Sequence, residues 1–396
     1  VSAFAASGPA LTSGVVGLEG RVGDPDESVL RSASLRIGGS PLPLLAVARV
    51  YVCGITPYDV THLGHAATFV WADVLASVIR MAGVQPVVCR NVTDVDDVLT
   101  RAARTRGRHY DEYALGQEFV FHQHMSRLGV RRPDSEPRAR HHVTHVQQLA
   151  AALLTSGHAY ARDGHVWFRG AGALAASGLT REQALVLSAD YGDQPDDPRK
   201  DDPFDVPVWR PSDEYDPAWP SPWGWGRPGW HAECAAMAVA VLGHGIDALV
   251  GGDDLTFPHH AYQSAMVEAA AGLPLARSIL HVGGVHQDGA KMAKSTGNLT
   301  LVGDLLETHA PAAVRLLLLD RRWDEPWEFS APHLDEAARR LDRLYAAAGG
   351  STSSDSAAGA VTARLLDDLD VPGALDIAES EGGAAARQLL ATLSLS

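Results

Sequence analysis

Two short stretches carry residue types suited to chemistry on phosphates. His62 and His65 form an H-x-x-H pair in YVCGITPYDVTHLGH, where a strand, a glycine-containing loop and a helix are expected to follow one another. Free backbone N–H groups and the positive end of a helix dipole at such a junction favour an anion, and two imidazoles there can donate hydrogen bonds to phosphate oxygens. The second stretch is KMAKS, starting at Lys291. Of 33 Lys and Arg residues only Lys200, Lys291 and Lys294 are lysine, so two of the three fall in this loop. Attack of a carboxylate on the α-phosphorus of ATP expels pyrophosphate, and the charge growing on the bridging and departing oxygens calls for imidazole donors and mobile ammonium groups. Taken singly, H-x-x-H also suits a helix cap, and a lysine-containing loop also suits a solvated turn.

The elements that must position these residues follow from periodicity. LPLLAVARVYV reads as a strand leading to Cys53, and Phe69, Val70, Val74, Leu75, Val78 and Ile79 recur at three- and four-residue steps, which predicts a helix with one buried face ended by Gly83. VQPVVCRN then reads as a short buried strand that places Cys89 in the core. Strand, helix, strand is a βαβ unit and requires a parallel sheet. After the acidic turn NVTDVDD a helical region runs to Leu154, and HAYARDGHVWF alternates as a hairpin with Asp163-Gly164 at its turn. Residues 188–228, rich in Asp, Pro, Gly and Trp, suit long functional loops better than regular structure. A helix over His231–Leu242, a strand IDALVGG, a helix FPHHAYQSAMVEAAAG and a strand SILHVGG follow. Asp254, at the C-terminal end of the IDALVGG strand, sits where open α/β sheets bind ligands and can hold an ammonium group. From Pro311 the pattern is helical, interrupted by a flexible linker at 349–359. The expected fold is α/β: an N-terminal leader over 1–44, a Rossmann-like domain over 45–310 with an insertion at about 110–230, and a helical bundle over 311–396.

Composition excludes several classes. The 396 residues, 46% of them hydrophobic, suffice for two or three domains. A formal charge of −15 argues against a broad nucleic-acid-binding face, which needs clustered Lys and Arg. Three cysteines, Cys53, Cys89 and Cys234, do not make a disulfide framework and point to a reducing compartment or a metal. The N-terminus lacks a basic signal-peptide region and no apolar run spans a bilayer, so a cytoplasmic protein without membrane partners is expected.

In this order, HLGH and KMAKS resemble the signatures of class I aminoacyl-tRNA synthetases. YVCGITPYDVTHLGHA, NVTDVDD, GRPGWHAECAAMA, GGDDLTFPHH and KMAKSTGN narrow the resemblance to the cysteinyl-tRNA synthetase branch. Within it CGITPYD, WPSPWGWGRPGWHAEC and LDDLDVPGAL are most similar to the mycothiol cysteine ligases, which join cysteine to the amine of glucosaminyl-inositol. The resemblance runs from about residue 45 to near the C-terminus. It implies a class I synthetase catalytic domain that makes cysteinyl-AMP from L-cysteine and ATP, with Mg²⁺ on the phosphates and His62, His65, Lys291 and Lys294 as catalytic residues. It implies an adenylate site of Gly54, Ile55, Thr56, Thr68, Asn91, Val92, Thr93, Trp230, Gly252, Asp253, Asp254 and Val285. It also implies one Zn²⁺ per chain on Cys53, Cys234 and His259, although none of their spacings suggests a metal, with the substrate thiolate as fourth ligand. A soft sulfur contact of that kind favours cysteine over serine.

Gln263 stands where the tRNA synthetases carry a zinc-binding Glu, a ligand that the ligases also lack, and no tRNA-reading domain follows the helical bundle, so tRNA is not an expected partner. The chain departs from the ligases at Asp190–Pro195, where Tyr191 replaces an Arg, at Ala293 within KMAKS and at Ala261. The Asp190–Pro195 change falls in a region that can shape the second substrate. The acceptor therefore stays open between glucosaminyl-inositol and another small amine or carrier, with a cysteinyl-tRNA synthetase the weaker alternative. No general base is singled out, and a monomer is expected.

Overall fold

Segments rich in Val, Ile and Ala pair as a parallel sheet. In the computed structural model, which describes residues 34–58, 61–214, 216–292, 297–350 and 355–396, strands β1 (Val47–Ile55), β2 (Gln85–Val92), β3 (Ile246–Gly252) and β4 (Ala276–Val282) lie in the order β4-β3-β1-β2. Every neighbouring pair is parallel. Helix α1 (Leu63–Met81) joins β1 to β2, helix α2 (Trp230–Leu242) precedes β3, and helix α3 (Ala261–Ala271) joins β3 to β4. This is the α/β arrangement expected from the sequence.

Helix α1 differs from the one-faced expectation. Nearly all its residues from Leu63 to Ile79 are buried, because the sheet covers one side and the C-terminal helices cover the other. A helix apolar on all sides belongs inside a protein. The C-terminal helices span Pro311–Leu319, Ala331–Ala348, Asp355–Leu366, Val371–Glu381 and Gly383–Thr392. The linker expected at 349–359 is helical from Asp355, and residues 351–354 lie outside the described residues. Within the expected leader, Ser34–Ile37 and Ser40–Pro43 form an antiparallel hairpin whose Leu35, Ile37 and Leu42 enter the main core.

The region between β2 and α2 packs against α3 in a second core that includes Val166, Phe168, Val208, Trp209 and, from α3, Tyr262. Its expected hairpin forms between Ala159–Arg162 and His165–Phe168, and Asp163 and Gly164 at the turn have φ of 50° and 74°, the left-handed pair that tight hairpins need. The stretch 188–228, read as loops, contributes two strands, Val206–Pro211 and Gly226–Pro228, to the same antiparallel sheet. Buried Val206, Val208 and Trp209 drive this pairing, while the flanking prolines hide it from pattern reading. Helix α3 begins at Ala261, four residues after Phe257, which is extended (φ −139°, ψ 135°). A residue before proline is pushed out of the helical region, which explains the shortened helix. Among the described residues no helix is long and apolar enough to cross a membrane.

Candidate active site

The end of β1 is pressed against β2. A Cβ on Gly54 would lie 1.7 Å from the Asn91 carbonyl oxygen, so only glycine permits this approach. The Gly54 N–H donates to Asn91 Oδ1 at 2.9 Å, and Asn91 Nδ2 donates in turn to Cys234 Sγ at 3.4 Å. One side chain thus ties the tip of β1 to the first turns of α2.

Behind that junction Cys53, Cys234 and His259 converge, all buried, with their candidate ligand atoms within 4.8 Å of one another. Two sulfurs and one imidazole nitrogen are a donor set that would suit Zn²⁺. Burial pushes the Cys53 thiol up, while hydrogen bonding from Cys53 and the nearby His259 hold Cys234 well below the usual thiol range. The cluster is therefore arranged to carry a thiolate. Gln263, fully buried, has its Oε1 3.6 Å from Cys53 Sγ, and its Nε2 has no hydrogen-bond partner among the described residues. A neutral amide there adds no anionic ligand, so the donor set remains two cysteines and one histidine.

Three further histidines, not foreseen from the sequence, pack around the cluster. His260 Nε2 lies 3.2 Å from Cys53 Sγ and its Nδ1 2.9 Å from His281 Nε2, while His231 Nδ1 lies 3.0 Å from His259 Nδ1. Burial holds His231 and His260 well below the usual imidazole range, so both are neutral. The adjacent His259-His260 pair was the available signal, but no periodicity points from it to residues 231 and 281.

His62 is the N-cap of α1 and His65 lies in its first turn, their ring centroids 3.9 Å apart. The chain that follows the KMAKS loop runs beside them: Leu63 N donates to Thr300 O at 2.9 Å and Val302 N to Thr61 O at 3.0 Å. Lys291 Nζ lies 2.5 Å from Asp253 Oδ1 and 3.4 Å from Asp254 Oδ1. Two signatures more than 220 residues apart in the chain are thereby joined. Lys294 lies outside the described residues.

A cavity of about 1130 Å³ opens over these groups. Of the residues expected in the site, Cys53, Gly54, Ile55, Thr56, His62, His65, Thr68, Trp230, Gly252, Asp253, Asp254, Val285 and Lys291 line it. Asn91, Val92, Thr93, Cys234 and His259 are buried and do not line it. The Trp230 ring, at the start of α2, stacks on His259 at 4.3 Å and on Tyr191 at 6.0 Å. The remaining wall comes from residues that sequence reasoning left unassigned. Asp97 pairs with Arg210 at 2.8 Å and with Arg227 at 3.0 Å, and Lys200 pairs with Asp193 at 2.8 Å. Asp96, whose carboxylate caps the helix Asp97–Thr105, is raised to about 6 by burial.

Residues 45–339 match the family described as tRNA synthetases class I (C) catalytic domain. The chain is 42% identical over 345 residues to the L-cysteine:1D-myo-inositol 2-amino-2-deoxy-alpha-D-glucopyranoside ligase of Frankia casuarinae, covering 85% of this chain and 74% of that protein. It is 37% identical over 336 residues to the cysteine–tRNA ligase of Pseudomonas aeruginosa, covering 83% and 73%. The Mycobacterium tuberculosis methionyl-tRNA synthetase in complex with methionyl-adenylate shares the fold, with a TM-score of 0.59 at 18% identity over 89% of this chain and 82% of that one.

Proposed function

The chain belongs to the class I tRNA synthetase (C) catalytic family, and on that premise we propose that it is an ATP-dependent ligase that activates L-cysteine and transfers it to the amine of glucosaminyl-inositol. The observation that carries this reading is a shared wall: Cys53 of the sulfur-rich cluster lines the same cavity as His62, His65 and Lys291. In the first step a cysteine carboxylate oxygen bonds to the α-phosphorus of ATP while the bond to the bridging oxygen breaks and pyrophosphate leaves. His62 and His65 donate to the phosphates, and Lys291 with Lys294 offsets the departing charge. Asp254 holds the cysteine ammonium, and Gly54 to Thr56, Thr68, Gly252, Asp253 and Val285 shape the adenylate pocket. Asn91, with Val92 and Thr93, supports that pocket from behind. Cys53, Cys234 and His259 would hold Zn²⁺, which when bound supplies a soft Lewis-acid contact for the cysteine thiolate. In the second step the acceptor nitrogen bonds to the acyl carbon, the bond to the phosphate oxygen breaks, AMP leaves, and the nitrogen loses a proton.

The acceptor is taken from the name borne by the 42%-identical relative. Incubation of zinc-loaded protein with ATP, cysteine and glucosaminyl-inositol should release AMP and a stoichiometric cysteinyl amide. Cysteine-dependent pyrophosphate exchange without that amide would remove glucosaminyl-inositol as the acceptor. Tyr191, in place of the expected arginine at the cavity wall, favours as second reading a paralogous ligase for a different small amine, which the same assay with other amines would reveal.

A further inference from the structure

We propose that Tyr191 selects the acceptor: with Trp230 it forms an aromatic platform for the ring of an unphosphorylated, polyhydroxylated amine and disfavours phosphorylated acceptors. This rests on the ligase reading above and assigns its second substrate a chemical class and a place.

Space comes first. Small-molecule sites usually occupy about 300–1,000 Å³, and this cavity, at about 1130 Å³, has room for a second reactant beside an adenylate. Tyr191 caps the C-terminus of the helix Arg181–Asp190 and lines the cavity half-buried. Its ring lies 21° from parallel with that of Trp230, which is itself stacked on His259. The platform therefore begins at the metal-ligand cluster, and a ring resting on it lies next to the place where cysteine is held.

The chemistry of the surface narrows the guest. Tyr191 Oη makes no hydrogen bond among the described residues, while burial and the carboxylates of Asp254, Asp253 and Asp190 raise its pKa, so the phenol stays protonated as a donor. Among the described lining residues seven carboxylates face six Lys and Arg side chains. Five of those six are held in ion pairs: Arg199 with Asp197, Lys200 with Asp193, Arg210 and Arg227 with Asp97, and Lys291 with Asp253. An arginine at position 191 would have set a cation beside Asp253 and Asp254; tyrosine leaves them to Lys291. Beside Tyr191 itself a phosphorylated acceptor would meet the carboxylates of Asp254, Asp253 and Asp190, against electrostatic complementarity. A sugar or cyclitol ring instead offers C–H faces to the aromatic platform, hydroxyls to the phenol and the paired charges, and the N–H donors of a free amine to the carboxylates.

Glucosamine and glucosamine 6-phosphate share ring and amine and differ in charge, so they are the probes. With zinc-loaded enzyme, ATP and cysteine, the parent should couple glucosamine with the higher kcat/KM, by about tenfold or more, the equivalent of one lost hydrogen bond to a charged partner. Tyr191→Arg should narrow or invert that preference. Tyr191→Phe should raise the KM for glucosamine by roughly two- to tenfold, with the change falling on the acceptor's KM rather than on the KM for cysteine in pyrophosphate exchange. A parent that prefers the phosphorylated amine, or a preference unmoved in Tyr191→Arg, overturns the proposal. So does cysteine-dependent exchange with no coupling to either amine, which leaves cysteine activation intact. Absence of that exchange in the parent overturns the ligase reading itself.

Discussion

Replacing Arg315 by methionine should destabilise the fold more than any surface change. Arg315 is fully buried on the helix Pro311–Leu319, and its guanidinium donates to Asp73 Oδ2 at 2.6 Å, to Leu128 O at 2.8 Å and to Leu393 O at 2.5 Å. Asp73 lies on α1, the helix whose first turn carries His65. The substitution leaves a carboxylate that is 6% exposed, helped among the described residues by the Arg131 backbone N–H at 3.1 Å and guanidinium at 3.4 Å, and two carbonyls without their donor. Breaking a buried pair from one side costs ~3–5 kcal/mol. The remaining Arg131 contact argues for the lower end of that range, and the orphaned carbonyls push it back up. Burial lowers the Arg315 pKa and Asp73 opposes that shift, so desolvation offsets much of what the pair contributes. Replacing both residues, Asp73→Leu with Arg315→Met, should therefore recover most of the loss. Urea unfolding of the parent, both single variants and the double variant would give the coupling, expected at ~2 kcal/mol or more. An Arg315→Met variant within about 1 kcal/mol of the parent, smaller than the cost of one unpaired buried charge, would refute the reasoning, as would a double variant no better than the single one.

Cys234→Ala should lower bound zinc and the preference for cysteine over serine together; a full zinc complement in the variant would discard the three-ligand set. Gly54→Ala should depress both zinc content and exchange, since its Cβ would sit 1.7 Å from the Asn91 carbonyl oxygen and force β1 from β2; a fully active variant would show that this approach is not needed. Burial alone would raise Glu136, but His122 and Arg90 outweigh it and hold the carboxyl at about 2. Its folded pKa thus lies below the unfolded value of ~4.3, so its stabilisation is present at neutral pH and is lost as pH falls from ~5 towards ~2. Glu136→Gln should flatten that acid limb in urea midpoints taken against pH, and an unchanged limb would assign acid sensitivity elsewhere.

The parallel sheet was legible because Val50, Val52, Val88, Val92, Leu249 and Val250 sit in short apolar runs bounded by turn residues, and α1 because its apolar steps are long and regular. Its burial on all sides was not legible, since that depends on helices beginning some 230 residues later. Prolines obscured the strands Val206–Pro211 and Gly226–Pro228, whose pairing depends on partners elsewhere in the sheet. The proposed phosphate contacts rest on HLGH and KMAKS, which are local patterns in the sequence. Cys53, Cys234 and His259 could be reached only through resemblance, because three separate elements bring them together and no spacing records that. The Tyr191–Trp230 stack is a tertiary contact between a helix cap and a helix start, and only the folded chain brings it to the cavity wall.

Activation of cysteine is tested most directly by ATP–pyrophosphate exchange with zinc-loaded protein, cysteine and Mg²⁺, run in parallel with serine. The cluster of Cys53, Cys234 and His259, whose Cys53 shares a cavity with His62, His65 and Lys291, predicts on the proposed reading exchange that requires cysteine and is weak with serine. No exchange with cysteine, or equal exchange with serine, would contradict it.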